Sequence, residues 1–244
     1  MSAWVSGRRG EEAVELLDDG HGSEEEIIEC YHELGLVNRW LGGFRATFEP
    51  LDRWTGRAGP ATILDVAGGD GDYAEQFLDW AGSRGTRSRV YMLDYHPITV
   101  RLARDRRLDG LLSIRGDALT LPFQDRSFDL VHSAAFFHHL STARACDLLA
   151  EMCRVSRRLV IVNDLVRSRL AQASIWALTR GFSRNRLIRH DGPLSVSKSF
   201  VPRELEAIAR AMEQRGHCDL RWHITRTFPY RMTLVGARLL ATDR

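Results

Sequence analysis

The feature that most constrains this chain is a short apolar run that ends at a cluster of glycines. Residues 63–67 are apolar apart from Asp65, and three of the next four residues are glycine, namely Gly68, Gly69 and Gly71. Apolar residues at helical spacing begin at Tyr73. Glycine lets the backbone turn tightly and lie against a ligand because it has no Cβ. The segment therefore predicts the strand, turn and helix that open a nucleotide-binding α/β unit.

Two acids beside the last glycine restrict the class of ligand. Asp70 and Asp72 flank Gly71 at the predicted start of the helix, where dinucleotide-binding folds place a pyrophosphate. Their carboxylates would repel that group, but they would tolerate a ligand that carries an ammonium and a sulfonium, as S-adenosylmethionine (SAM) does. An NAD-dependent oxidoreductase is the disfavoured alternative, also because Lys198 is the only lysine and no Tyr-x-x-x-Lys pair is present.

Strand and helix patterns alternate from residue 62 to residue 163. The strand candidates are 62–67, 89–94, 111–115, 128–133 and 158–163, and the helix candidates between them are 72–82, 97–107 and 141–155. Helices of this length between strands indicate right-handed crossovers in a parallel sheet. A helix at 203–215 is followed by two strands, 218–226 and 228–238, that we expect to pair antiparallel. The predicted fold class is α/β, with a mostly parallel Rossmann-like sheet and an antiparallel C-terminal strand.

Two further segments are expected to lie outside the sheet. Residues 1–58 form a predicted N-terminal helical cap, with helical patterns from residue 11 and a capping box at Ser23 and Glu26. Residues 59–244 form the predicted nucleotide-binding domain. Within it, residues 166–200 are an insertion after the fifth strand, read as a helical piece and then an Arg-, Ser- and Gly-rich loop. Such an insertion is typical of a lid over a site.

The composition of the chain limits which partners and which cellular compartment we expect. The formal net charge of the 244-residue chain is only +2, which predicts neither a nucleic-acid nor a membrane partner. The four cysteines form no CxxC pair and no Cys/His cluster at zinc spacing, so we expect reduced thiols and no metal ligands. Without a signal-peptide pattern or a membrane-spanning apolar run, the expected localisation is cytoplasmic.

Acids at the ends of the next two strands add to the nucleotide signal. Asp94 ends the second strand, where a carboxylate can accept hydrogen bonds from both ribose hydroxyls. Asp117 follows the third strand, where its carboxylate can accept a hydrogen bond from an adenine amino group or cap a turn. The spacing of Asp94 from the glycine turn indicates a nucleotide, but it does not separate NAD from SAM.

The order of these segments resembles that of the class I SAM-dependent methyltransferases. The ubiquinone/menaquinone-biosynthesis and type 11 group is the most similar, because its members often carry Ala-Gly-Gly in place of Gly-x-Gly. Residues 37–45 also resemble the segment of the quinone enzymes that folds over the cofactor, and residues 162–168 and 190–196 resemble bacterial methyltransferases associated with polyketide-type gene neighbourhoods. The motifs that carry the main resemblance are Asp65-x-Ala-Gly-Gly-x-Gly, Asp94, Gly116-Asp117-Ala118 and Phe128-Asp129-Leu130-Val131.

The resemblance implies SAM as the cofactor and a role for particular positions. Asp65 and the glycine turn would hold the methionine part, Asp94 the ribose with Tyr95 beside it, and Asp117 and Ala118 the adenine. Ser133, near the end of the fourth strand, would line the cleft near the sulfonium. The full set of cofactor-binding residues that it implies is Arg45, Asp65, Ala67, Gly68, Gly69, Gly71, Asp94, Tyr95, Asp117, Ala118 and Ser133.

Three side chains are candidates for a catalytic base. His139 lies directly after the fourth strand, Asp164 ends the fifth strand, and His190 lies in the insertion beside Asp191. Histidine suits proton transfer because its pKa lies near neutrality. For each of the three, substrate hydrogen bonding or a structural role is the alternative.

The leading functional hypothesis is methyl transfer from SAM to a small hydrophobic acceptor. Aromatic residues in the N-terminal helices and in the insertion favour a phenolic, quinone-like or polyketide-derived natural product, with O-methylation favoured over C-methylation. A SAM-binding scaffold or cyclase-type partner without transfer activity is the alternative from another class. An RNA or protein methyltransferase is disfavoured by the lack of an Asn/Asp-Pro-Pro-Tyr motif. The two C-terminal strands and the aromatic N-terminal helices are each suited to support a homodimer.

Overall fold

The alternating apolar segments form one seven-stranded sheet in the computed structural model. The structure describes residues 9–10, 13–17, 22–56, 59–214 and 218–238. The strands are β1 (Thr62–Val66), β2 (Arg89–Asp94), β3 (Leu111–Arg115), β4 (Phe128–Ala134), β5 (Ser156–Leu165), β6 (Arg221–Thr227) and β7 (Arg231–Ala237). The helices are α1 (Glu24–Trp40), α2 (Gly43–Thr55), α3 (Asp72–Ser83), α4 (Pro97–Asp105), α5 (Thr142–Val155), α6 (Arg169–Phe182), α7 (Arg186–Lys198) and α8 (Pro202–Gln214), with a 3₁₀ turn at Phe137–His139.

The strand order confirms the predicted fold class. The order is β3-β2-β1-β4-β5-β7-β6. Strands β1 to β5 pair in parallel, and β7 pairs antiparallel with both β5 and β6. The order reverses between β1 and β4, and a doubly wound sheet opens a ligand crevice at the carboxyl ends of the strands beside such a reversal.

Helices cover both faces of the sheet with apolar side chains. On one face, α5 places Leu148, Leu149 and Met152 at helical spacing against the sheet, and these side chains are fully buried. On the other face, Leu51 of α2 and Phe77 of α3 are equally buried. Each such side chain contributes about 1.5–3 kcal/mol when it leaves water. This three-layer core holds the carboxyl ends of the strands in fixed positions.

The N-terminal helices begin where their capping residues predict. In α1 the Ser23 hydroxyl accepts a hydrogen bond from the Glu26 amide at 3.2 Å, and the Glu26 carboxylate accepts one from the Ser23 amide at 2.9 Å. The predicted capping box is therefore confirmed. The boundary at residue 58 between a cap and a second domain stays a prediction.

Two local predictions are wrong. The described residues 13–17, expected within a short helix, have no regular secondary structure except a turn at 16–17. The Arg-, Ser- and Gly-rich part of the insertion is the helix α7, although Gly192 and Pro193 lie within it. Leu187 and Ile188 of α7 pack against Ile27 of α1, and this burial outweighs the loop-favouring composition.

The cysteines also differ from the expectation of reduced thiols. Cys153 of α5 and Cys218, which precedes β6, form a disulfide with a Cα–Cα distance of 5.7 Å and a sequence separation of 65 residues. The bond joins α5 to the chain segment that leads into the C-terminal strand pair.

We expect oxidised protein to be more stable to urea than reduced protein by about 4 kcal/mol, because the cross-link closes a long loop in the unfolded chain. Urea unfolding with and without a reductant measures the difference. Cys218→Ser should match the reduced wild type and show no response to the reductant, whereas Cys146→Ser should respond as the wild type does. Equal stability of oxidised and reduced wild type would contradict the prediction.

Candidate active site

The glycine turn between β1 and α3 adopts a backbone that few residues tolerate. Gly69 and Gly71 have φ values of +59° and +85°, and Ala67 has a φ of +56°. A Cβ on Gly68 would lie 2.4 Å from Met92 Cγ and 2.8 Å from Asp65 Oδ2, so no side chain fits there. Alanine in the left-handed region costs about 1–2 kcal/mol, so Ala67 is held in this conformation by the strand before it and the turn after it.

Asp94 joins the turn to the end of β2. Its Oδ2 accepts a hydrogen bond from the Gly69 amide at 2.9 Å, and its Oδ1 accepts from the His96 amide at 2.9 Å and the Thr99 hydroxyl at 2.8 Å. Burial raises the pKa of the Asp94 carboxyl, and these hydrogen bonds oppose the rise. The carboxylate is thus fixed beside the glycine turn, at the place where the sequence predicts a ribose contact.

The two acids of the turn have different surroundings. Arg106, directly after α4, donates from Nε to the Asp70 carbonyl at 2.7 Å and pairs with the Asp70 carboxylate, so the charge of Asp70 is compensated. Asp72 Oδ2 accepts a hydrogen bond from Asn38 Nδ2 at 3.0 Å. Burial and the neighbouring Asp70 raise the pKa of Asp72 to about 7. Asp72 is therefore the acid of the turn whose charge depends on pH near neutrality.

Helix α1 covers the turn from above. A Cβ on Gly69 would lie 3.0 Å from Tyr31 Cε1, so the ring of Tyr31 lies on the glycine backbone. Beside it, a groove of about 440 Å³ runs between α1, α3 and α4 and is lined by Tyr31, Arg39, Asp70 and Asp72 among others. Its carboxylates make it suited to a cationic group.

A network of buried polar side chains lies beneath the turn. Asp65 Oδ1 bonds to His132 Nδ1 at 2.7 Å, and His132 Nε2 bonds to the Thr47 hydroxyl at 3.0 Å. Asn163 Nδ2 donates to the Thr47 hydroxyl at 3.0 Å and to the Tyr73 hydroxyl at 3.0 Å. The network ties β1, β4 and β5 to α2 and α3, and it fixes the orientation of Asp65.

Two polar atoms of this region fit a cofactor with hydrogen-bond donors. Asp65 Oδ2 and Ser133 Oγ are buried and have no hydrogen-bond partner among the described residues. Buried polar atoms are normally paired. Together with the close backbone approach at Gly68, these atoms fit the amino-acid end of SAM, whose ammonium supplies donors.

The other residues of the implied cofactor set lie at the same edge of the sheet, with one exception. Asp117 is exposed and its Oδ1 accepts from the Leu119 amide at 2.9 Å, Ala118 is buried, and Tyr95 is 72% exposed with Arg115 beside its ring. Asp117 thus caps a turn next to the predicted adenine position. Arg45 instead donates to the Phe228 carbonyl and pairs with Glu49 at 3.7 Å. The structure does not bring Arg45 to the glycine turn.

A buried histidine–carboxylate pair lies where β4 and β5 end. His138 Nδ1 bonds to Asp164 Oδ1 at 2.8 Å, and Asp164 Oδ2 accepts from the His138 amide at 2.8 Å. Burial would raise the pKa of Asp164, but the charge and the hydrogen bonds of His138 hold it below its usual value. Asp164 therefore remains a carboxylate that orients the His138 ring, and the ring leaves Nε2 for other partners.

An acid and the only lysine of the chain complete this cluster. Glu15 Oε1 lies 3.9 Å from His138 Nε2, and Glu15 Oε2 lies 3.8 Å from His139 Nε2. Lys198 Nζ lies 3.2 Å from Glu15 Oε1. Glu15 and Lys198 are only 3% and 4% exposed, and burial of a charged pair is costly unless the two charges compensate each other. We call Glu15, His138, His139, Asp164 and Lys198 the proton-handling cluster.

Helix α7 holds the segment that carries Glu15. Asp191 Oδ1 and Oδ2 accept hydrogen bonds from the amides of Leu16 and Leu17 at 2.9 and 3.0 Å, and the Ser195 hydroxyl donates to Glu15 Oε2 at 3.0 Å. His190 Nδ1 bonds to Asp191 Oδ1 at 2.7 Å, but half of the His190 side chain is exposed. No described contact joins His190 to the proton-handling cluster.

Part of the cluster also has the ligand types of a metal site. The ligand atoms of Glu15, His138 and His139 lie within 4.8 Å of one another. The ammonium of Lys198 lies against the same carboxylate and already supplies the positive charge that a cation would bring. The Glu15 carboxylate is therefore already paired with a positive charge in this structure.

Of the five residues of this cluster, His139 and Asp164 were predicted as site residues, whereas Glu15, His138 and Lys198 were not. Glu15 lies in a segment interpreted as helical, and His138 was passed over in favour of His139. The one signal that the sequence offered for Lys198 is that it is the single lysine among 34 basic residues.

The central part of the chain matches a known family. Residues 63–158 match a family model described as a methyltransferase domain. A ubiquinone/menaquinone biosynthesis C-methyltransferase of Bordetella avium is 36% identical over 121 residues, which are 47% of this chain and 45% of that protein. A demethylmenaquinone methyltransferase of Deinococcus radiodurans is 39% identical over 148 residues, 57% of each chain. The chain thus spans about half the length of the curated relatives it matches.

The fold agrees with solved structures of the same class. The crystal structure of a SAM-dependent methyltransferase from Aquifex aeolicus aligns over 89% of this chain and 100% of that chain, with a TM-score of 0.62 and 17% identity. At this identity the likeness shows the fold alone. No helix in the described part of the chain is long and apolar enough to cross a membrane. Taken with the glycine turn, which lies within the matched residues, the family match makes residues 63–158 similar to the methyltransferase domains of the quinone-biosynthesis enzymes.

Proposed function

We propose that this chain transfers a methyl group from SAM to a hydroxyl of a small hydrophobic acceptor that is phenolic, quinone-like or polyketide-derived. The observation that carries the proposal is the buried proton-handling cluster, which lies at the carboxyl ends of β4 and β5 on the same sheet edge as the glycine turn. A phenol or enol becomes a strong nucleophile only when it loses its proton. A buried base beside the cofactor edge meets that need.

The residues of the turn are assigned to the cofactor. Asp65 Oδ2 and the backbone of Gly68 and Gly69 would receive the methionine part, and Asp94 would accept from the ribose hydroxyls. The Asp72 carboxylate lies close enough to the turn to attract the positive charges of the cofactor. When bound, SAM supplies a methyl carbon that is activated by its sulfonium.

The proton of the acceptor is assigned to His138. Its Nε2 would take the proton as the new methyl–oxygen bond forms and the carbon–sulfur bond breaks, with the electron pair remaining on sulfur. Asp164, bound at Nδ1, fixes the tautomer and stabilises the imidazolium, so Asp164 is a positioning residue. His139 would contact the acceptor. His190 is assigned to the lid, because its partner Asp191 holds the Glu15 segment.

The buried charges of Glu15 and Lys198 would select the acceptor. The Lys198 ammonium can donate to an ionised phenolate or enolate oxygen, and Glu15 would hold that ammonium in place. An acceptor with two neighbouring oxygens, one deprotonated by His138 and one bound by Lys198, matches this arrangement. Positioning of this kind supplies much of the rate enhancement in a methyl displacement.

One relative is named as a C-methyltransferase. Deprotonation of the acceptor by His138 would equally activate an enolate carbon for methylation. The NMR spectrum of the product distinguishes a methoxy group from a carbon-bound methyl. A scaffold that binds SAM without transfer would leave the cofactor unconsumed with every acceptor tested. A homodimer and a cytoplasmic location remain proposals.

Replacing Asp94 with alanine should weaken SAM binding about 10- to 100-fold, because hydrogen bonds to a charged group are lost. Isothermal titration calorimetry with SAM, S-adenosylhomocysteine and NAD measures the dissociation constant of each ligand. The matched control is Asp109→Ala, which removes an exposed carboxylate just before β3, at the other edge of the sheet. Tighter binding of NAD than of SAM by the wild type would overturn the assignment.

We expect SAM affinity to rise between pH 6 and pH 8. The pKa of Asp72 is raised to about 7, so the carboxyl is mostly neutral at pH 6 and mostly anionic at pH 8, where it attracts the cationic cofactor. The gain is at most about tenfold per unit by which the cofactor lowers the pKa of Asp72. Titrations at both pH values should show a flat profile for Asp72→Asn and a weaker dependence for S-adenosylhomocysteine, which lacks the sulfonium.

His138→Ala should lower the methylation rate about 10²- to 10⁴-fold, as is typical for loss of a general base, while SAM affinity stays within threefold. Mass gain of phenols and quinols incubated with methyl-labelled SAM gives the rate. Asp164→Asn should lower the rate and move the acid limb of its pH profile, because the carboxylate that stabilises the imidazolium is removed. Unchanged rates in both variants would remove the cluster from the mechanism.

A further inference from the structure

Helix α6 presents large apolar side chains to solvent. Leu170 is 68% exposed, Trp176 43% and Leu178 38%, and Phe182 at the end of the helix is 88% exposed. Among the residues of α6 only Ala171 and Gln172 are buried. At about 100° per residue, Leu170 and Trp176 flank the arc of α6 that carries Arg169 and Arg180. Leu178 and Phe182 lie toward the C-terminal end of the helix on its other side, and all four apolar side chains are exposed among the described residues.

The charge around this face has one sign. Residues 165–190 contain six arginines and no aspartate or glutamate. Arg167 is buried and pairs with Glu204, and Arg186 pairs with Glu26. The remaining four are exposed, and the guanidinium of one lies 4.5 Å over the ring of Trp176; they are Arg169, Arg180, Arg184 and Arg189. We call them, with the four exposed apolar residues, the α6 face.

We propose that the α6 face binds the surface of an anionic lipid bilayer. Aromatic and leucine side chains beside arginines, without acids, are typical of helices that lie in the headgroup region. Each arginine near an anionic surface adds attraction, and the apolar side chains enter the acyl boundary. With 14 residues, α6 is too short to span the hydrocarbon core, so it would lie in the plane of the membrane.

Other occupants fit the face less well. In a symmetric dimer the same patch meets itself, and this would place the arginines of one copy against those of the other. A nucleic acid would satisfy the arginines but would leave Leu170 and Phe182 unused. An anionic bilayer complements both parts of the α6 face, because its headgroups attract the arginines and its acyl boundary receives the apolar side chains.

The position of α6 would bring a bound bilayer close to the candidate active site. Helix α6 packs on α7, and α7 holds the Glu15 segment through Asp191 and Ser195. A bilayer against α6 would therefore lie next to the lid of the proton-handling cluster. The proposal itself rests on the α6 face and stands whether or not the chain methylates a phenol.

Vesicle sedimentation of the full chain tests the proposal. We expect binding to vesicles of phosphatidylcholine with 30% phosphatidylglycerol (about one lipid in three), weaker binding to phosphatidylcholine alone, and weakening by salt. A variant with Leu170→Ser, Trp176→Ser and Phe182→Ser should bind at least tenfold more weakly. A variant with Arg169→Gln, Arg180→Gln, Arg184→Gln and Arg189→Gln should lose the preference for anionic vesicles.

The matched control makes the same kinds of change elsewhere on the surface. Leu112→Ser with Arg203→Gln and Arg210→Gln alters exposed residues outside the α6 face and should bind as the wild type does. Thermal melting shows which variants are folded, and only folded variants are compared. Absence of wild-type binding to the anionic vesicles at low salt would overturn the proposal, as would a wild-type dimer that the serine variant converts to a monomer.

Discussion

The parallel register of β1 with β2 and β4 is the constraint on which the rest of the site depends. In this register Asp65 of β1 lies beside Met92 of β2 and His132 of β4. The acid and the histidine are therefore neighbours close to the end of β1, where the glycine turn begins. A shift of one residue would turn Asp65 and His132 to the opposite face. The buried hydrogen-bond network beneath the turn forms only in this register. Its hydrogen bonds therefore also stabilise this register over the alternatives.

Buried charged side chains need partners, and this need explains why several chain segments contribute to the carboxyl edge of the sheet. Asp164, Glu15 and Lys198 are all nearly inaccessible to solvent, and each would be strongly destabilising without its partner. The partners come from distant parts of the sequence, since Glu15 precedes α1 and Lys198 ends α7. Charge compensation thus stabilises the closure of the N-terminal segment over the cleft, and the closed cleft in turn keeps water away from the His138–Asp164 pair.

The sequence predicted what depends on local pattern and failed where tertiary packing decides. The strands, their mostly parallel pairing and the glycine turn followed from apolar periodicity and from backbone constraints that only glycine satisfies. Helix α7 did not, because Gly192 and Pro193 lower its intrinsic propensity and only its packing on α1 makes it a helix. The contact of Arg45 with the Phe228 carbonyl was equally outside what the sequence could show, because the two residues are 183 positions apart.

The contrast between Asp70 and Asp72 shows how far a charge argument from sequence can go. Both acids were expected to disfavour a pyrophosphate, yet Arg106, 36 residues further along the chain, compensates Asp70. The proposed preference for a cationic ligand therefore rests on Asp72, whose carboxyl has the neutral amide of Asn38 as its partner. A group of this kind is tuned by burial rather than by an opposite charge, and its pKa of about 7 follows from that difference. In the proposed function, the arginine that follows α4 thus determines which of the two acids responds to the cofactor.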